Sequence, residues 1–191
     1  QGNLIAVSKD VLGDMLTPVG AFRRLAAGGV PSFLLESVEG GEQIGRYTFL
    51  GANPVMSLSV RGREVTVWEG GSSRTERLPD GQDALSALEA VMARYRWVGG
   101  PDLPPFVGGA VGLMAYDIVR QFEELPDTTT DDLDVPDARF LIADTIVAFD
   151  HARHRLKVIH NALVEADEDA DAAYYRAQAK LDDVLAKLHT P

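Results

Sequence analysis

Val55 to Val60 alternates, with Met56, Leu58 and Val60 on one side and Ser57 and Ser59 on the other. That two-residue period predicts a strand with one buried face. Arg61-Gly62-Arg63 turns it into a second strand, Glu64-Val65-Thr66-Val67-Trp68, which Gly70-Gly71-Ser72-Ser73 is expected to end. A shorter apolar run, Phe33-Leu34-Leu35, is followed at once by Glu36 and Ser37 and a glycine-rich loop. Another strand then begins at Arg46-Tyr47-Thr48-Phe49-Leu50. Phe140 to Phe149 is nearly continuous in apolar residues, broken mainly by Asp144 and Thr145, and predicts one buried strand. His151 to His154 turns it back into Arg155 to His160.

Helical spacing accounts for the rest. Thr17 is a natural N-cap, Pro18 suits the first helical position, and Gly28-Gly29 ends a helix whose apolar face holds Phe22 and Leu25. Leu85, Leu88, Met92 and Tyr95 form one stripe of a second helix, expected from about Asp83 to Arg96 and read as core packing. A short helix is expected around Tyr116, Asp117 and Arg120. A final helix runs from about Asp169 to His189, with Tyr174, Ala177, Leu181, Val184, Leu185 and Leu188 facing inward. Acidic residues lie near its start and Lys187 and His189 at its end, as the helix dipole prefers. Hairpins and about four helices without a βαβ rhythm predict an α+β fold on antiparallel sheet. No internal repeat is visible.

The chain has 191 residues, which suits a single domain over 1–191 or one large piece of a longer protein. It begins with Gln1, so processing or excision from a longer chain is expected, and the last helix is expected to dock onto something beyond Pro191. With 18 Lys+Arg against 29 Asp+Glu the formal charge is −11, which argues against nucleic acid and anionic membrane as partners. The absence of cysteine excludes disulfides, zinc–thiolate sites and a cysteine nucleophile, and suits a cytoplasmic protein. No apolar run reaches the roughly 20 residues of a membrane span, and no signal peptide is visible.

Candidate chemistry is sparse. His151 and His154 are expected as solvent-exposed turn residues, with His160 and His189 at element ends; no catalytic or metal-ligating set emerges. Gly108-Gly109-Ala110-Val111-Gly112 lacks both G-x-G-x-x-G and Gly-Lys-Ser/Thr, so a close backbone approach explains it better than a phosphate cradle. Glu36-Ser37 is the better candidate. An amino-acid ligand needs an acceptor for its ammonium, a donor for its carboxylate and an apolar slot. Glu36, Ser37 and Arg46 supply the polar part from one hairpin. The competing reading makes Glu36 a surface charge and Ser37 a turn residue.

The segment "FLLESVEGGEQIGRYTFLGANP", ending at Pro54, resembles the signature of the N-terminal half of anthranilate synthase component I. "PPFVGGAVGLMAYDIVRQFEELP" (Pro104 to Pro126) is similar to that family's second N-terminal motif, and "TPVGAFRRL" (Thr17 to Leu25) to its first helix. Aminodeoxychorismate synthase component I and the isochorismate and salicylate synthases share the fold and parts of these motifs. The resemblance implies a parent enzyme that makes anthranilate and pyruvate from chorismate, using ammonia from a glutamine amidotransferase subunit (component II), in tryptophan biosynthesis. It implies that chorismate and magnesium (Mg2+) lie in a C-terminal half not represented here, so this chain alone is expected to be inactive. It also implies that L-tryptophan, as feedback inhibitor, contacts Ser37 and Glu36, then Arg46, with Pro18 lining the pocket. The alternatives are the corresponding part of aminodeoxychorismate synthase in the folate pathway and a non-catalytic amino-acid-binding module.

Overall fold

A computed structural model describes residues 2–13, 16–37, 45–126, 128 and 130–189. The chain divides into two compact units: Gln1–Pro54, Tyr95–Gly109 and Ala143–Pro191 form one, and Val55–Arg94 with Ala110–Ile142 the other.

The first unit carries a six-stranded sheet. Its strands are β1 (Leu4–Leu12), β2 (Ser32–Glu36), β3 (Tyr47–Ala52), β7 (Trp97–Val98), β10 (Thr145–Asp150) and β11 (Arg155–Leu163), in the order β2-β3-β10-β11-β1-β7. All pairings are antiparallel except that of the two-residue β7 with β1. The expected α+β architecture on antiparallel sheet is the one observed. β1 has no counterpart among the predicted strands, yet it pairs with β11 from Leu4↔Leu163 to Leu12↔Arg155. Its mixed sequence, LIAVSKDVL, carries no clean period because both of its faces are only half-covered.

One face of this sheet is the core. Val147 and Phe149 of β10, Leu156 and Val158 of β11 and Leu50 of β3 pack against Ala21 of α1 (Pro18–Leu25) and Leu181, Val184 and Leu188 of α3 (Ala170–His189). Of the predicted inward face of α3, Ala177, Leu181, Val184 and Leu188 are buried and Leu185 packs against the core, while Tyr174 is replaced there by its neighbour Ala173. The buried stripe is Ala173, Ala177, Leu181, Val184 and Leu188, so Tyr174 stands 47% exposed. One residue is about 100° of helix rotation, and the small Ala173 and Ala177 let the helix approach the sheet where a tyrosine would hold it off. α1 starts as expected: Thr17 Oγ1 accepts from Gly20 N at 3.1 Å and Pro18 occupies the first turn. Arg24 donates to Leu188 O at 2.6 Å, satisfying a carbonyl that the end of α3 leaves open.

The second unit holds β4 (Met56–Arg61), β5 (Glu64–Glu69), β6 (Ser72–Arg77), β8 (Gly109–Met114) and β9 (Ala138–Ala143), in the order β6-β5-β4-β9-β8. Gly70-Gly71 does not end the meander. Both glycines have positive φ (59° and 80°) and form a two-residue turn that brings Ser72 opposite Glu69. β6 escaped the sequence pattern because it is polar and exposed along its whole length. α2 spans Ala84–Met92, with an Asp83–Ser86 capping box. It buries Ala84 and Val91, half-buries Leu88 and Met92 of the predicted stripe and leaves Leu85 43% exposed, and the helix stops four residues short of Arg96. Past it, Arg96 O accepts from Asn3 N at 2.9 Å and the chain turns extended as β7, which ends the helical run.

The run from Phe140 to Phe149 is two strands. β9 pairs with β4 in the second unit, and β10 pairs with β3 and β11 in the first. The break falls at Asp144, whose backbone carbonyl accepts from Asn161 N at 2.8 Å and Asn161 Nδ2 at 3.2 Å, while its carboxylate accepts from Thr145 Oγ1 at 2.9 Å. The short helix after β8 is a 3-10 turn, Tyr116–Gln121, closed by Arg120 on Asp117 at 2.9 Å. The glycine cluster is the close approach expected. A Cβ on Gly112 would lie 2.0 Å from Arg139 O, and one on Gly108 would lie 2.5 Å from Asn161 Nδ2.

The α3 assignment is testable by denaturant unfolding. Leu181→Ala should cost about 2–5 kcal/mol through transfer and cavity terms. Tyr174→Ala should stay within about 0.5 kcal/mol, as an exposed change does. The reverse order would mean that α3 buries the other face.

Candidate functional site

β2 is an edge strand paired with β3 from Ser32↔Ala52 to Glu36↔Thr48. This register divides its side chains. Leu34 turns toward the helices and packs on the core, whereas Phe33 and Leu35 share the opposite face with Phe49. Gly51 has no side chain, so the Phe33 ring lies over it. Phe106 stands edge-on to Phe33 and Phe49, with ring centroids 6.5 and 5.4 Å away, and Tyr47 stacks on Phe49 at 5.6 Å. Glu36 is the last residue of β2 and Ser37 follows it; both are exposed. Thus the carboxylate and hydroxyl project where the strand leaves its aromatic, half-covered sheet. The loop at 38–44 lies outside the described residues.

Arg46 has a different setting from the one the sequence implied. It grips Asp150 at the end of β10 with two parallel bonds, Nε to Oδ1 at 3.0 Å and Nη2 to Oδ2 at 2.7 Å, and its guanidinium lies 4.8 Å from the Tyr47 ring centroid. The hydrogen-bonded guanidinium holds the Asp150 carboxyl below the usual carboxylate range, and Asp150 in turn raises Arg46 above its ordinary value. Burial of each group opposes these shifts and is outweighed.

All four predicted ligand residues belong to one end of the six-stranded sheet. Glu36 pairs with Thr48, Thr48 with Phe149, and Phe149 with Leu156. Pro18 is joined to this row through a cavity of about 260 Å³ that it shares with Phe149, Asp150 and His151. Arg46 instead lines a larger cavity of about 470 Å³, and Asp150 and Arg155 border both. Glu36 and Ser37 line neither. Sequence reading missed Asp150 and Arg155. The signal for Asp150 was present in the β10 alternation, where Ala148 and Asp150 face away from Val147 and Phe149.

The histidines are better partnered than expected. His151 is an exposed turn residue, as read, but its Nε2 lies 2.8 Å from the buried Thr48 Oγ1. His160 is well inside β11 and 9% exposed, with Nδ1 2.8 Å from Thr145 Oγ1. Burial lowers its pKa, against the pull of Asp144, whose Oδ2 is 3.8 Å away. Asp144 and His160 both engage the Thr145 hydroxyl, so the imidazole is not held between an acid and a nucleophile as a catalytic triad requires. This trio is a packed polar joint. Among the described residues no three His, Cys, Asp or Glu side chains gather as a metal site would need.

A sequence profile described as "chorismate binding enzyme" matches residues 31–191. The chain belongs to the chorismate-binding enzyme family. Relatives within this family include anthranilate synthase component 1 of Mycobacterium tuberculosis, 39% identical across 98% of this chain and 37% of that protein. The protein of the same name in Pseudomonas aeruginosa is 37% identical across 99% of this chain and 37% of its own length. The crystal structure of anthranilate synthase component I from Streptococcus pneumoniae superposes with a TM-score of 0.57, at 26% identity, over 95% of this chain and 36% of that one. This chorismate-binding family member therefore spans little more than a third of the relatives it matches. Among its described residues, no helix is long and apolar enough to cross a membrane.

The Arg46–Asp150 pair sets an acid dependence. Asp150 has its pKa depressed by folding, so its contribution is complete above the ordinary carboxylate pKa of about 4 and is lost as pH falls through the lower folded value. Arg46→Gln should flatten that limb of the stability–pH curve, read by thermal unfolding between about pH 5 and pH 2. An unchanged limb would show that the pair is not formed in solution.

Proposed function

We propose that this chain is the N-terminal, regulatory part of an anthranilate synthase component I. In that reading the whole enzyme converts chorismate, with ammonia released from glutamine by a component II subunit, into anthranilate and pyruvate for tryptophan synthesis. This part contributes no catalytic group. It forms one wall of an L-tryptophan site, with Ser37 and Glu36 as its polar contacts, Arg46 behind them and Pro18 at the margin. The observation that carries the reading is the alignment of 98% of the chain, at 39% identity, with anthranilate synthase component 1 of M. tuberculosis.

The local chemistry supports the division of labour. Glu36 and Ser37 are exposed at the end of an edge strand and free to meet a ligand's ammonium and carboxylate. The adjoining face, built from Phe33, Leu35, Phe49 and Phe106, offers apolar and aromatic surface to an indole. Arg46 is already occupied by Asp150, so it acts by fixing the start of β3 beside Glu36 and through whatever donor capacity the pair leaves open. A ligand held between this wall and a second part of the enzyme would favour one arrangement of the two, which is what inhibition at a distance requires. The acidic residues described do not converge on a magnesium site. A cytoplasmic location fits the absence of cysteine.

Two measurements test this. Purified residues 1–191, given chorismate, ammonia and magnesium, should form no anthranilate detectable by fluorescence; turnover by this chain would sink the proposed division. In the full-length enzyme, Ser37→Arg should raise the tryptophan concentration needed for inhibition by at least about tenfold, within the usual range of coupling free energies. Turnover without tryptophan should stay within about twofold, because the residue touches no reacting atom. Unaltered inhibition would remove Ser37 from the pocket, and a 4-amino-4-deoxychorismate product would replace the anthranilate assignment.

A further inference from the structure

We propose that the cavity of about 470 Å³ on the face of the six-stranded sheet opposite α1 and α3 is a separate binding site, suited to a small dicarboxylate that carries a hydrogen-bond donor. This does not depend on the tryptophan reading. Glu36 and Ser37 do not line the cavity, and Arg46, which does, is held there by Asp150.

The strand period builds the floor. Val147 and Phe149 of β10 turn to the core, so Ala148 and Asp150 turn the other way. Likewise Leu156 and Val158 of β11 are core, and Arg155 and Lys157 stand side by side on the opposite face. Asp10 of β1 joins them, and the segment Pro101 to Pro104 closes one side with Pro101, Leu103 and Pro104 as apolar wall. The volume lies within the range of small-molecule sites, with room for a four-carbon diacid and bound water.

The charges decide the ligand. Four of the seven lining charges cancel in pairs: Arg46 with Asp150 at 2.7 Å and Lys157 with Asp10 at 2.9 Å. What remains is Arg153, Arg155 and Asp102, whose side chains make no ion pair or hydrogen bond among the described residues; Arg153 meets Asp150 through its backbone N–H, which donates to Oδ1 at 3.2 Å, and through the field of its side chain. These two guanidiniums line the same cavity with one carboxylate. Two cationic forks and one carboxylate are complemented by two carboxylates and one donor on the ligand. A 2-hydroxy or 2-amino diacid has that set, and a plain diacid lacks the donor.

Titration of the chain by isothermal calorimetry and by amide chemical-shift mapping, with L-malate, L-aspartate and succinate, tests this. L-Malate, L-aspartate or both should bind saturably, shifting amides of Tyr47, Ala148 and Arg155, and succinate should bind at least about tenfold more weakly, since Asp102 would be left without its donor. Binding of only one of the two tells whether Asp102 needs a hydroxyl or an ammonium. Arg155→Gln and Arg153→Gln should each weaken binding by about tenfold or more, as loss of a charge-assisted contact does. Arg74→Gln, on the second unit, should change nothing, and Asp102→Asn should erase the preference over succinate. Raising the salt should weaken binding, because these groups are exposed. Saturation by none of the three ligands, succinate binding as tightly as the others, or Arg155→Gln binding as well as the parent would each overturn the proposal.

Discussion

The burial of the β10–β11 hairpin beneath α3 is the constraint on which the first unit depends. Val147, Phe149, Leu156 and Val158 supply one apolar face and Leu181, Val184 and Leu188 the other, with Ala21 of α1 filling the gap. Burial of such side chains is worth roughly 1.5–3 kcal/mol each. That pairing pins the alternation of both strands. Once Phe149 and Leu156 face the helices, Asp150 and Arg155 must face away, and the polar side of the sheet follows from the apolar one.

The polar side then organises itself by charge. Asp150, placed at a strand end by the core, captures Arg46 and so ties the start of β3 to the end of β10. His151 N donates to Arg46 O at 2.9 Å and its ring reaches Thr48, closing the same corner. Glu36 is paired across from Thr48 and therefore leaves the sheet beside this corner. The end of β2 gains its backing there, because an edge strand has a neighbour on one side only. The packed trio of Asp144, Thr145 and His160 braces the other end of β10 and β11.

Much of this was determined by the sequence alone. The hairpin β4–β5, the helix start at Thr17-Pro18, the β2 and β3 strands around Glu36 and Ser37, and the antiparallel α+β class all follow from local period and capping, which act within a few residues. The motif resemblance pointed to the family that the comparisons identify, and the glycine cluster was correctly read as close packing. Tertiary structure decided what local pattern leaves degenerate. The run from Phe140 to Phe149 splits between two sheets at Asp144, whose carbonyl accepts from the backbone and side-chain N–H of the chain-distant Asn161. β6 exists because a positive-φ glycine pair folds a wholly polar segment onto β5, and β1 because β11 provides a nine-residue partner. That Ala173 takes the place of Tyr174 on α3, and that Leu85 of α2 stays exposed, depended on the surface each helix meets. Arg46 is paired for the same reason: its partner, Asp150, lies 104 residues away, and only folding brings a side chain that distant within hydrogen-bond reach.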